Sequence, residues 1–282
     1  MRRTNPLVAP VLKWVGGKRQ LLHEIKTRIP KYNTYFEPFC GGAAVLFALQ
    51  PSKAIISDTN SELINVYKVI KDNADELIKI LEEHKKKNSE EYFYTIRSLD
   101  RLHEAYAKLT DTERAARIIY LNKTCYNGLF RVNSAGEFNS PWGRYKNPNI
   151  ISETTIKALH IYFTENKITF LDDDYKKALN TAKKGDFVYL DPPYLPLSDT
   201  SNFTGYTAGG FSVADQEKLK QVCDNLNKKG VNFLLSNSSC DFIKNIYASY
   251  YIDEVEAKRS INSIAEKRGE IKEVLIRNYE YS

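Results

Sequence analysis

Nothing in the 282 residues approaches the run of about 20 apolar residues that a membrane-spanning helix needs, so no span and no membrane partner are expected. Arg2 and Arg3 are not followed by the apolar stretch of a signal peptide, which predicts a cytoplasmic protein. Four cysteines, Cys40, Cys125, Cys223 and Cys240, lie far apart and form no Cys-x-x-Cys pair. That spacing argues against a zinc site or a disulfide framework and for a reducing compartment. The histidines, His23, His84, His103 and His160, show no ligand spacing, so no metal is expected. Gly-x-Gly-x-x-Gly is absent, as is the lysine of a phosphate loop, which argues against dinucleotide and nucleoside triphosphate sites. No internal repeat or low-complexity tract interrupts the chain, and 42% hydrophobic content is ample for a core.

What is present is organised around Asp191-Pro192-Pro193-Tyr194. The run Phe187 to Leu190, entered through Lys184-Gly185-Asp186, reads as a buried strand that two prolines stop. Proline has fixed φ and no N–H, so the Pro-Pro step leaves rigid carbonyls pointing away from the sheet. A carboxylate, a fixed carbonyl and an aromatic face then lie side by side. The set suits a planar exocyclic amine, whose lone pair is delocalised into its ring. Two acceptors, Asp191 and the Pro192 carbonyl, would draw the nitrogen toward a tetrahedral, nucleophilic shape while Tyr194 stacks on the ring.

Upstream, Tyr35 to Phe39 followed by Cys40-Gly41-Gly42 and a helix from Ala43 to Leu49 is the βα opening of a nucleotide-type fold. Asp58 ends the next apolar run, Ala54 to Ser57, where an acid can hold ribose hydroxyls. A ligand with a ribose and no required phosphate fits both features. A glycine turn between lysines, Lys13-Trp14-Val15-Gly16-Gly17-Lys18, precedes a helix expected from Gln20 to Ile29. Further helices are expected over 61–83, 113–121, 175–182, 214–229 and 241–247. Strands at Tyr35, Ala54, 168–171, 187–190, 231–235, 250–255 and 274–279 predict a mostly parallel, doubly wound α/β sheet of seven strands.

The net charge of +6 is concentrated in one place. From Arg114 to Ile150 there are six basic residues, Arg114, Arg117, Lys123, Arg131, Arg144 and Lys146, against the single acid Glu137. They are interleaved with aromatics and turn formers, as in a nucleic-acid surface where Lys and Arg meet phosphates and Arg and Asn meet base edges.

These pieces together resemble the Dam-type DNA adenine-N6 methyltransferases, notably the DpnM-like enzymes of GATC restriction-modification systems. The resemblance covers nearly the whole chain. It rests on Lys13-Trp14 with Gly16-Gly17-Lys18, Phe36-Glu37-Pro38-Phe39 with Gly41-Gly42, Asp58, Tyr126-Asn127-Gly128-Leu129 with Arg131, Gly143-Arg144-Tyr145, Asp174, Asp191 to Tyr194, Phe211-Ser212 with Asp215-Gln216, and Leu235-Ser236-Asn237. Ala43 stands where the family usually has a third glycine, and Tyr175 where phenylalanine is common.

The resemblance implies S-adenosylmethionine as donor, held by Trp14, Gly16, Gly17, Lys18, Phe36, Glu37, Pro38, Phe39, Gly41, Gly42, Asp58, Asp174, Tyr175 and Asp191. It implies double-stranded DNA as substrate, with the target adenine flipped into a pocket of Asp191, Pro192, Pro193 and Tyr194. An inserted, mostly helical target-recognition domain would span 73–153, with 1–72 and 154–282 forming the Rossmann-like catalytic domain. DNA contacts would come from Lys13, Arg117, Tyr126, Asn127, Leu129, Arg131, Asn133, Pro141, Arg144 and Lys146, the target being GATC. A cognate endonuclease acting on the same site is the partner such systems imply. Two rivals stand beside this reading. One is an enzyme of the same fold acting on cytosine N4 in DNA or on adenine in RNA; the other is a DNA-binding protein that has lost catalysis.

Overall fold

The structure, a computed structural model, describes residues 4–14, 16–195, 211–258 and 270–281. Five strands pair in parallel: β1 (Tyr35–Glu37), β2 (Lys53–Asp58), β3 (Lys167–Asp172), β4 (Phe187–Leu190) and β5 (Asn232–Ser238). β6 (Tyr251–Lys258) and β7 (Glu270–Arg277) complete the sheet as an antiparallel pair, with β7 running against β5. The order across the sheet is β3-β2-β1-β4-β5-β7-β6.

Both faces of this sheet are covered, and the two-residue period of a strand divides the core accordingly. In β4, Phe187 and Tyr189 join one apolar cluster while Val188 and Leu190 join the other. Helices α9 (Tyr175–Leu179), α10 (Val213–Lys228) and α11 (Asp241–Ile246) pack on the second face. The first face carries α1 (Leu22–Arg28), α2 (Ala44–Leu49), α3 (Ser61–Asp72) and α8 (Glu153–Glu165). Its core continues without a break into α4 (Ala74–Lys87), α5 (Glu90–Ser98) and α7 (Asp111–Thr124), while the short α6 (His103–Tyr106) buries nothing. No helix among the described residues is long and apolar enough to cross a membrane.

Three departures from the expected elements have local causes. The helix expected over 61–83 is two helices, broken at Asn73, whose φ of −137° is not helical. Helix α8 was not anticipated: its Thr and aromatic content leans toward strand. It forms because Ile156, Leu159 and Phe163 fall on one face and are buried. Strand β5 runs on past its expected end at Leu235 through Ser236, Asn237 and Ser238, and all three are buried.

The entry to β4 is held by a buried carboxylate. Asp186, 2% exposed, accepts hydrogen bonds from the backbone N–H groups of Thr34 (3.0 Å) and Lys183 (3.1 Å), which fixes β4 against β1. Asp186→Ala would leave both donors without a partner and should cost roughly 2–5 kcal/mol in urea unfolding. An unchanged midpoint would show that this turn does not register the two strands.

Candidate active site

Asp191 follows β4 directly, at the carboxyl end of the sheet where neighbouring parallel strands open a crevice. Its Oδ1 receives two donors: the Ser236 hydroxyl from β5 at 2.8 Å and the Lys18 ammonium at 3.0 Å. Tyr189, on the same strand, shares a 3.1 Å hydrogen bond with the Ser236 hydroxyl. Asp191 Oδ2 takes no hydrogen bond from any described residue. Burial raises the Asp191 carboxyl above its ordinary range, against the lowering effects of Lys18 and Ser236.

The loop after Asp191 is clamped by side chains that the resemblance brought along without a role. Gln216 of α10, fully buried, donates to the Pro193 carbonyl at 3.0 Å and accepts from the Asn237 amide at 3.0 Å. Ser238 donates to the Leu195 carbonyl at 3.0 Å. The Pro192 carbonyl is left without a donor among the described residues. Tyr194 is half-buried, donates to Glu273 Oε2 at 2.5 Å, and has the Lys18 ammonium 4.4 Å from its ring centroid.

A second group of residues surrounds the turn between β1 and α2. Asp58 accepts from the N–H groups of Gly41 and Asn60, both at 3.0 Å, and the Tyr67 hydroxyl donates to the Gly41 carbonyl at 2.7 Å. Gly41 has φ of +45°, and a Cβ there would lie 2.8 Å from Trp14 Cδ1, so the close approach requires glycine. Ala43, in place of the family's glycine, sits at φ +52° and carries the strain of a left-handed alanine. Phe39 stacks on Tyr175 (centroids 5.1 Å apart) and meets Phe211 edge-on. Asp174 caps α9 through the Lys176 N–H.

Not every residue assigned to the donor is placed at that turn's surface. Phe36 is core on the second sheet face, and Pro38 is buried. Glu37 is 2% exposed and accepts from the Tyr35 hydroxyl (2.8 Å) and the Leu46 N–H (3.0 Å), pinning α2 to β1. Lys18, expected beside the donor, instead points into the Asp191 pocket and donates to the Gly16 carbonyl at 3.0 Å.

The basic segment forms an irregular hairpin, with bridges Cys125–Trp142 and Val132–Phe138. Tyr126, Asn127, Arg131, Pro141, Arg144 and Lys146 are all exposed on it, and Leu129 is half-buried. Asn139 holds the Arg131 guanidinium by a 2.7 Å bond from Nε, and Asn127 and Arg144 adopt positive φ. Asn133 is committed to the turn: its Oδ1 accepts from Ala135 and Glu137, and its amide donates to the Glu137 carboxylate. Lys13, exposed, is tied to the hairpin's base by Asn122, which accepts from the Lys13 N–H and donates to its carbonyl, both at 2.9 Å. Asn122 also donates to the Gly128 carbonyl, and Trp14 stacks on Phe130 at 4.7 Å.

Arg117 is placed elsewhere than the resemblance implied. Its side chain is 3% exposed, pairs with Asp100 at 2.8 Å and donates to the Ile96 and Arg97 carbonyls. Asp100 in turn accepts from the Phe138 N–H. A helix-interior arginine facing α5 is thus a brace for the hairpin, not a surface contact.

Residues 14–261 match the family model of the D12 class N6 adenine-specific DNA methyltransferases. The chain belongs to this family. It is similar to the type II methyltransferase M1.LlaDCHI of Lactococcus lactis subsp. cremoris, with 47% identity over 96% of this chain and 95% of that one. The type II methyltransferase M.MjaIII of Methanocaldococcus jannaschii is 42% identical over 96% of this chain and 99% of its own. A DNA adenine methylase of Escherichia coli is 34% identical over 94% of this chain and 93% of its own. Membership selects the adenine-specific reading over the cytosine N4 rival.

For this methyltransferase the sequence reading missed Asn122 and Glu273. Asn122 stands at the start of the turn-rich segment with nothing to mark it. Glu273 is one polar residue in an alternating strand, and only the β5–β7 pairing places it at the pocket.

Two outcomes follow from the site. Burial pushes the Glu37 carboxyl up from 4.5 to about 8, the Asp191 charge adding to the effect and the Tyr35 and Leu46 bonds opposing it. Over that window the folded state keeps a proton that the unfolded chain has lost. The stability this group contributes is therefore fully present below about 4.5 and lost as pH rises through about 8. Glu37→Gln should flatten the fall in urea midpoint across that range; curves parallel to wild type would contradict it. Arg117→Ala would take from Asp100 one of its two guanidinium partners, Arg101 staying at 2.8 Å, and should cost about 1–3 kcal/mol in unfolding. The salt slope of DNA binding should stay the same, whereas loss of a phosphate contact would reduce it by about one unit.

Proposed function

We propose that this methyltransferase takes its methyl group from S-adenosylmethionine and places it on N6 of the adenine in GATC of double-stranded DNA. The observation that carries the reading is a pair of acceptors with no donor among the described residues, Asp191 Oδ2 and the Pro192 carbonyl, with Tyr194 two residues after Pro192 in the chain. They can accept the two N–H groups of an adenine amine and draw its lone pair out of conjugation. Tyr194 would stack on the base, and the Gln216 and Asn237 clamp keeps the loop from yielding as the base enters. An amine inside a duplex is out of reach, so the base is extruded at a cost of a few kcal/mol.

Donor binding is supported by the turn at Gly41. Each Asp58 oxygen already takes one backbone N–H and retains a further acceptor site for ribose hydroxyls. Trp14, Gly16, Gly17, Phe39, Gly41, Gly42, Asp174 and Tyr175 would line that site, with Glu37 beneath it. When bound, the donor supplies an electrophilic methyl group on a sulfonium sulfur.

Recognition belongs to residues 73–153, with 1–72 and 154–282 as the catalytic part. Arg131, with Nε held by Asn139, would present its fork to guanine O6 and N7. Lys13 would touch the guanine beside the flipped adenine, Leu129 and Pro141 a thymine methyl, and Tyr126 and Asn127 the gap left in the stack. Arg144 and Lys146 would meet phosphates. The type II names of the relatives at 47% and 42% identity favour a restriction–modification setting with a cognate endonuclease.

Plasmid from cells expressing the protein should resist an endonuclease blocked by adenine methylation at GATC and be cut by one that requires it. The reverse pattern would refute the target. Asp191→Ala should leave the plasmid unprotected while keeping S-adenosylmethionine binding within about tenfold, or ~1.4 kcal/mol. A protected plasmid would remove Asp191 from the chemistry.

A further inference from the structure

The Lys18 ammonium lies where the target base has to go. It is 3.0 Å from Asp191 Oδ1 and 4.4 Å from the Tyr194 ring centroid, so it covers both the carboxylate and the aromatic face assigned to the adenine. It is also 4.0 Å from Glu273 Oε2. Lys18 is 8% exposed at its side chain, and Asp191 and Glu273 are 19% and 17% exposed, so the three charges form a compact, largely dry cluster. In such a place an ammonium cannot leave one carboxylate for apolar surroundings without a large desolvation cost, but it can pass to another carboxylate within reach.

Glu273 is that carboxylate. Its strand position opposite Ser238 is fixed by the β5–β7 pairing, and the Tyr194 hydroxyl donates to its Oε2 at 2.5 Å. We propose that Glu273 is a positioning residue of the methyl-transfer site, which holds Tyr194 by its hydroxyl and receives the Lys18 ammonium when the target base displaces it from Asp191. The inference rests on the assignment of Asp191 and Tyr194 to the base. With Lys18 over the pocket, the two acids stay compensated; with the base in place, Lys18 remains paired and the space over Tyr194 that it filled is given to the adenine, whose amine meets Asp191 Oδ2.

The test uses the full chain and a GATC duplex carrying 2-aminopurine in place of the target adenine, whose emission rises when the base leaves the stack. Glu273→Gln keeps an acceptor for Tyr194 but removes the second seat for the ammonium. It should lower the extrusion equilibrium by about tenfold while leaving S-adenosylmethionine affinity unchanged. In a Lys18→Met background, where no ammonium needs a seat, the same substitution should change extrusion by less than about twofold. Glu273→Asp, which keeps the charge, should retain more extrusion than Glu273→Gln. A Glu273→Gln effect that is absent, or is as large without Lys18 as with it, overturns the proposal, as does an equal loss in Glu273→Asp. These failures are distinct from that of the base assignment, which a protected plasmid with Asp191→Ala alone would reveal.

Discussion

Keeping a carboxylate charged and mostly out of water at the end of β4 is the constraint from which much of this architecture follows. The Asp191 charge reaches a second buried acid, Glu37, and helps burial hold that carboxyl in its protonated form. One cation, Lys18, and one hydroxyl, Ser236, compensate the Asp191 charge. Removing either partner of such a pair costs far more than the pair contributes, because an uncompensated buried charge remains. The glycines before Lys18, the buried serine near the end of β5 and the protonated state favoured for Glu37 are parts of one electrostatic arrangement. The catalytic fold and the charge of its central residue are therefore a single problem.

The segment Lys13–Trp14 gives this arrangement a border with the basic hairpin. Trp14 fills the space that Gly41 leaves open and stacks on Phe130, while Asn122 bonds both backbone groups of Lys13. The Gly41 turn cannot shift by the thickness of a side chain without disturbing the hairpin that carries Arg131. The apolar core is correspondingly continuous from the sheet into α4, α5 and α7.

Most of the sheet was legible because a strand buried on both faces must be an apolar run, and β4 is one from end to end. The motif after it was legible because proline, aspartate and tyrosine each have a separate physical reason to be there. What escaped reading was polar residues doing structural service in the interior. Ser236, Asn237 and Ser238 look like a loop, yet they extend β5 because each is satisfied by the catalytic loop or its clamp. Arg117 has the composition of a phosphate ligand, and only tertiary packing turns its guanidinium inward to Asp100. Helix α8 was hidden by residues whose strand preference is overridden once Ile156, Leu159 and Phe163 find the core.

The chain has two tryptophans, and neither is idle packing. Trp14 lies between the Gly41 turn and Phe130, and Trp142 sits in the hairpin against Phe93. Indole emission depends on local polarity and on the rings beside it, so the tryptophan emission of this protein, set apart from that of its 19 tyrosines by excitation at the red edge, reports on the Gly41 turn and the base of the hairpin alone. The molecule thus carries two optical reporters, one at each of these places, without a label or a substitution.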